Sequence, residues 1–97
     1  MTEVRYSKRE DRHYLCAEGH AKGSQDVCAA VSALIYTLAG YLVNTDAWSE
    51  IDLDEAYAEI VFDSNDPKLD AVWEMSVFGL KQLQHTFGDY VRVTYIQ

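Results

Sequence analysis

Polar and apolar positions alternate along residues 3–9, with Val4 and Tyr6 on one face, and a period of two predicts a strand. Glu10 and Asp11 make a turn, and residues 12–19, RHYLCAEG, read as a second strand paired back on the first. From Val27 to about Asn44 the period changes. Val31, Leu34, Ile35, Leu38, Tyr41 and Leu42 predict a helix that is apolar on nearly every face. Residues 46–63, DAWSEIDLDEAYAEIVFD, hold two alternating runs around Leu53–Glu55. They predict a hairpin whose second arm is Ala56–Phe62. Ser64-Asn65-Asp66-Pro67 is a helix start, with Asp66 as the cap and Pro67 in the first turn. Leu69, Val72, Trp73, Ser76, Val77, Leu80, Leu83 and Phe87 follow at helical spacing as a core stripe, and Gly88 ends the helix. Val91–Ile96 make the last strand. The order ββαββαβ predicts an α+β fold, a single mainly antiparallel sheet with two helices.

The 97 residues read as a single domain, 1–97, with enough chain for a modest core. The apolar run at 27–43 is broken by Ser32, Thr37 and Gly40 and follows a strand pair, so it reads as a core helix and not a membrane span. One sheet in a chain of this size hardly covers a helix that is apolar all round. The second helix or a second protomer must cover the rest, and the expectation is a homodimer. The opening MTEVRYSKRED has no apolar signal region, which predicts a cytoplasmic protein.

Sixteen acids against eight bases give a net charge of −8. That balance disfavours direct binding of nucleic acid and suits a basic protein or peptide as partner, although solubility alone explains it as well. The acids Asp46, Glu50, Asp52, Asp54, Glu55 and Glu59 match no calcium loop and read as a solvated strand face. Cys16 and Cys28 have no zinc-like spacing with other ligands, so no metal and no cofactor are expected. Cys16 reads as a core thiol, and a disulfide between the two is disfavoured in a reducing cytosol. His13 reads as a surface or packing residue, and His85 as a partner of its helix C-terminus and of solvent.

Candidate chemistry concentrates in Gly19–Leu34, GHAKGSQDVCAAVSAL. A cysteine attacks as its thiolate, which is favoured by a nearby imidazolium and by the positive end of a helix dipole. Here Asp26 is a candidate N-cap, which makes Val27 and Cys28 the first helical positions. His20 stands between Gly19 and Gly23, just past a strand end. Ser32 lies one turn after Cys28 on the same face. The pattern fits a Cys28–His20 nucleophile and base, with free amides of the first turn stabilising thiolate and oxyanion. A buried, inert Cys28 in a structural domain fits the same residues.

The run GHA, followed by G-x-x-x-V-C-A-A-V-S-A-L, resembles the ribosomal-processing cysteine protease family, Prp. The resemblance puts the family's catalytic histidine on His20, its nucleophile on Cys28, its preceding glycine on Gly19 and its serine one turn on at Ser32. The closing Asp-Tyr-Val-Arg-Val, residues 89–93, resembles the family's last strand. The loop between histidine and cysteine is shorter here than is usual in the family. Gln25 stands where the family has aspartate, with Asp26 one position later. This is the pattern of a divergent member.

The resemblance implies a homodimeric cysteine endopeptidase. Its substrate would be large-subunit ribosomal protein twenty-seven, which loses a short N-terminal extension, or a phage structural protein. No aspartate or asparagine is assigned as a third, orienting member of the site. An inactive homologue that binds a basic tail and a structural dimerisation module are the alternatives.

Overall fold

The computed structural model describes residues 1–19 and 24–97. Its elements are β1 (Thr2–Arg9), β2 (Arg12–Glu18), α1 (Gln25–Val43), β3 (Trp48–Asp54), β4 (Tyr57–Asp63), α2 (Pro67–Thr86) and β5 (Val91–Tyr95). The element order is the expected one. The five strands form one sheet in the order β3-β4-β2-β1-β5. Three neighbouring pairs are antiparallel and β1 with β5 is parallel, so the sheet is mixed. The parallel pair arises because α2 carries the chain from β4 over β2 and β1 to the far edge.

Strand alternation sets which side is core. Val4 pairs with Ala17, Leu15 with Ile60, and His13 with Phe62. These side chains share one buried cluster with Val27, Val31, Ile35, Leu38, Ala39 and Leu42 of α1. Leu69, Trp73, Val77 and Leu80 of α2 join the same cluster, so both helices lie on one face of the sheet. His13 is fully buried here because it alternates in step with Leu15 and Ala17. Its ring stacks on Phe62 at 4.2 Å between centroids and meets the edge of Trp73 at 5.2 Å. Both ring nitrogens have partners, the Asp11 carbonyl at 2.9 Å and Asp70 Oδ1 at 3.1 Å, which is what lets an imidazole sit in a core.

Cys16 is buried, but on the other face. It alternates with Leu15 and Ala17 and so points away from both helices. The Arg5 side chain covers it, with Nη2 3.8 Å from Sγ, and Arg5 is itself paired with Glu18. It is thus a buried thiol, as expected, but on the sheet's outer face and outside the helix-side cluster.

Helix α1 starts at Gln25, two residues before the expected position. Ser24 is the cap, with extended backbone (φ −144°, ψ 100°), and its hydroxyl accepts from the Val27 amide at 3.2 Å. Serine caps as well as aspartate does, so the earlier residue takes the role. Asp26 is an exposed first-turn acid that suits the dipole there, not the cap. By length and composition α1 could cross a membrane, with mean hydropathy 1.7. Its inner face, however, is part of the core described above.

Helix α2 starts as expected, with Asp66 Oδ1 accepting from the Lys68 amide at 2.9 Å and Pro67 in the first turn. Its stripe ends earlier than expected. Phe87 is the C-cap residue and is exposed. The helices leave Tyr36, Tyr41, Val43, Met75 and Phe78 exposed.

Two expectations test this local structure. Ser24→Ala should cost about 1 kcal/mol in urea denaturation. Asp26→Ala should cost only about 0.3–0.5 kcal/mol, the dipole contribution alone; an equal or larger loss there would return the cap to Asp26. The second concerns acid. Lys8, and after it His13, hold the Asp70 carboxyl below its ordinary value of 3.8. Because the folded value is depressed, Asp70 adds stability that is complete above the unfolded value and lost as pH falls through the folded one. Thermal melts between about pH 5 and pH 2 should therefore fall less steeply for Asp70→Asn than for the native chain.

Candidate active site

Register brings three segments to one end of the sheet. Glu3 pairs with Glu18, so the end of β2 lies beside the start of β1. Glu18 also pairs with Tyr57, so the β3–β4 turn lies beside it on the other side. The first turns of α1 close over this end. Between them is a cavity of about 300 Å³, lined by Thr2, Ala17, Gly19 and residues 54–58 on the sheet side. Cys28, Val31, Ser32, Ile35 and Tyr36 line it from the helix. Steps of three and four residues put these five on one helix face.

Cys28 is half-buried and packs against the core cluster. Ser32 shares the cavity with it, as the spacing predicts. Gly19 lines the cavity too, while Asp26 does not. His20 and Gly23 lie outside the described residues. Gly19 precedes His20 in the chain, and its backbone is closely held. Its amide donates to the Ala56 carbonyl at 2.9 Å, and its carbonyl accepts from the Thr2 hydroxyl at 3.1 Å. Its φ is +91°, and a Cβ there would overlap the Met1 carbonyl oxygen, so the position requires glycine.

The helix start fixes which first-turn amides are already bonded. The Cys28 amide donates to the Ser24 carbonyl at 3.3 Å, the first bond of the helix. Val27 is held by the Ser24 hydroxyl. The amides of Gln25 and Asp26 precede the first intrahelical bond. Cys16 and Cys28 are not bonded to each other and sit on opposite faces of the sheet.

The cavity mouth is acidic. Asp54 and Glu55 line it, and no lysine or arginine does among the described residues. Tyr57 also lines it, donating its hydroxyl to Glu59 Oε2 at 3.2 Å. That phenol lies on the sheet's outer face, where burial, with the nearby Cys16 and Glu59, pushes it up to about 12. Among the described residues no three His, Cys, Asp or Glu side chains converge as metal ligands.

Sequence reasoning left several lining residues out. Tyr36, two turns beyond Cys28, was accessible from the helical period. Asp54 and Glu55 were seen only as part of a solvated acid run, and nothing local marks Thr2 or Tyr57.

The chain superposes on the essential ribosomal processing protease Prp of Staphylococcus aureus in complex with a covalently linked product peptide. The TM-score is 0.86 at 17% identity, over 99% of this chain and 100% of that one. The same protease in complex with a substrate peptide gives 0.79 at 16% identity, again over 99% and 100% of the two chains. The protein SMU.848 of Streptococcus mutans gives 0.79 at 24% identity, over 99% of this chain and 94% of that one. At these identities the likeness is one of fold. No curated protein sequence matches the chain. The family pattern described as "Cysteine protease Prp", however, matches residues 1–92, a stretch that takes in β1, the His20–Cys28 segment and the start of β5, and the chain belongs to the cysteine protease Prp family.

Proposed function

We propose that the chain is an endopeptidase with Cys28 as nucleophile and His20 as general base. It removes a short N-terminal extension from large-subunit ribosomal protein twenty-seven in the cytoplasm, or trims a phage structural protein. One observation carries the reading. Cys28 opens into a cavity of about 300 Å³ whose opposite wall includes Gly19, the residue before His20. His20 takes the thiol proton, and Sγ attacks the carbonyl carbon of the scissile peptide. Backbone amides at the start of α1 receive the oxyanion. The C–N bond then breaks as His20 returns the proton to the leaving amine. A water, deprotonated by His20, hydrolyses the thioester and frees Cys28. Ser32 and Gly19 shape the cavity.

The acidic mouth and the net charge of −8 suit a basic protein substrate. The S. aureus protein of this fold is a ribosomal processing protease seen with substrate and product peptides, which favours the same substrate class.

A homodimer is the second part of the reading. An uncharged groove runs between the helices, lined by Ala33, Leu34, Thr37, Tyr41, Val72, Met75 and Ser76, with Phe78 exposed on α2. A chain of charge −8 repels its own copies, so self-association needs a face that brings no like charges together. This groove is such a face.

Two measurements test these points. Incubation with the ribosomal protein precursor, followed by mass spectrometry, should give one N-terminal cut. Cys28→Ala and His20→Ala, folded by circular dichroism, should each lose roughly 10⁴-fold or more of the rate. No cut together with a thiol inert to iodoacetamide would leave an inactive peptide-binding or structural module. In sedimentation velocity the native chain should run as a dimer and Phe78→Asp as a monomer; an unchanged Phe78→Asp dimer would move the interface elsewhere.

A further inference from the structure

Thr2 is a polar residue at a core position. It is 4% exposed, and its neighbours on that face of the sheet, Val4 and Val91, are both fully apolar. Its hydroxyl donates to the Gly19 carbonyl at 3.1 Å, across a sequence gap of 17 residues. Its amide donates to the Tyr90 carbonyl at 2.8 Å. The paired register of β1 and β2 ends at Glu3 and Glu18. Beyond that point no ladder holds the two chains together, and the Thr2–Gly19 bond takes its place. On the other side the Gly19 amide is held by Ala56, itself in a left-handed backbone conformation (φ 59°). Gly19 is therefore fixed from both sides, with a φ that other residues avoid.

Both Thr2 and Gly19 line the Cys28 cavity, and His20 is the next residue in the chain. We infer that Thr2 is a positioning residue for the reaction: its hydroxyl fixes the Gly19 carbonyl, which belongs to the peptide group joining Gly19 to His20, and so acts on the base through the chain. This rests on the reading of His20 as the base. A hydroxyl that merely ties a strand end costs stability when lost, and activity then follows the folded fraction. A hydroxyl that sets geometry costs turnover in the folded protein, because misplacing a reacting group by about 1 Å can cost on the order of 10²-fold.

The test uses Thr2→Val, which keeps the shape and removes the donor, and Thr2→Ser, which keeps the donor. Thr2→Ala serves as a second donor-free variant should the valine not fold. Each is melted, assayed on the ribosomal protein precursor, and alkylated with iodoacetamide across pH, with Cys28 modification read by peptide mass. His20→Ala is the reference. The folded donor-free variant should lose about 10- to 100-fold in kcat with KM nearly unchanged. Its alkylation profile should move toward that of His20→Ala, and Thr2→Ser should restore both. A donor-free variant that superimposes on the native profile while His20→Ala departs from it overturns the role of Thr2 alone. A Thr2→Ser variant as impaired as Thr2→Val does the same. If His20→Ala itself superimposes on the native profile, the dyad fails and the role of Thr2 falls with it.

Discussion

Everything in this molecule depends on the register of β2 between β1 and β4. β2 is the middle strand, antiparallel to both neighbours, and one register fixes two things together. Across the strand it sends His13, Leu15 and Ala17 to the helices and Cys16 to the opposite face. Along the strand it delivers Gly19 to the level of Thr2 and Ala56. A slip of one residue would exchange the two faces and move the site's wall together. The core that resists such a slip is substantial. Leu15, Ile60 and Phe62 are each 0% exposed, and burying a side chain of this kind is worth about 1.5–3 kcal/mol.

Helix α1 is apolar all round because different stretches of its surface meet different demands. Val27, Val31, Ile35, Leu38 and Leu42 fill the core. Cys28 and Ser32 belong to the cavity, and Ala33, Thr37 and Tyr41 to the outer groove. Composition alone gives the same reading to a membrane span, a helix between layers and a self-associating helix. What separates them is how the circumference is divided, and that division is a tertiary fact.

The element order, the start of α2 at Asp66-Pro67 and the sharing of one face by Cys28 and Ser32 were all legible, because each rests on contacts within a few residues. The misses have a common cause. Ser24 and Asp26 are both good caps two positions apart, and local rules do not rank them. Leu15, Cys16 and Ala17 are consecutive and apolar, so the outward one cannot be told from the run. The parallel pairing of β1 with β5 and the Thr2–Gly19 bond join distant parts of the chain and leave no local mark. Asp54 and Glu55 looked like solvated acids, and they are exposed. Only the convergence of chain ends makes them a wall of the cavity.

The same geometry relates the two surfaces used in the functional reading. Cys28 and Tyr41 are separated by about 20 Å along α1, given a helical rise of 1.5 Å per residue. The groove's nearer lining residue, Ala33, is only about 8 Å along the helix from Cys28. Tyr36 stands between the two surfaces. It lines the Cys28 cavity, it is 57% exposed, and its chain neighbour Thr37 lines the groove. One side chain, Tyr36, thus joins the cavity wall to the border of the groove.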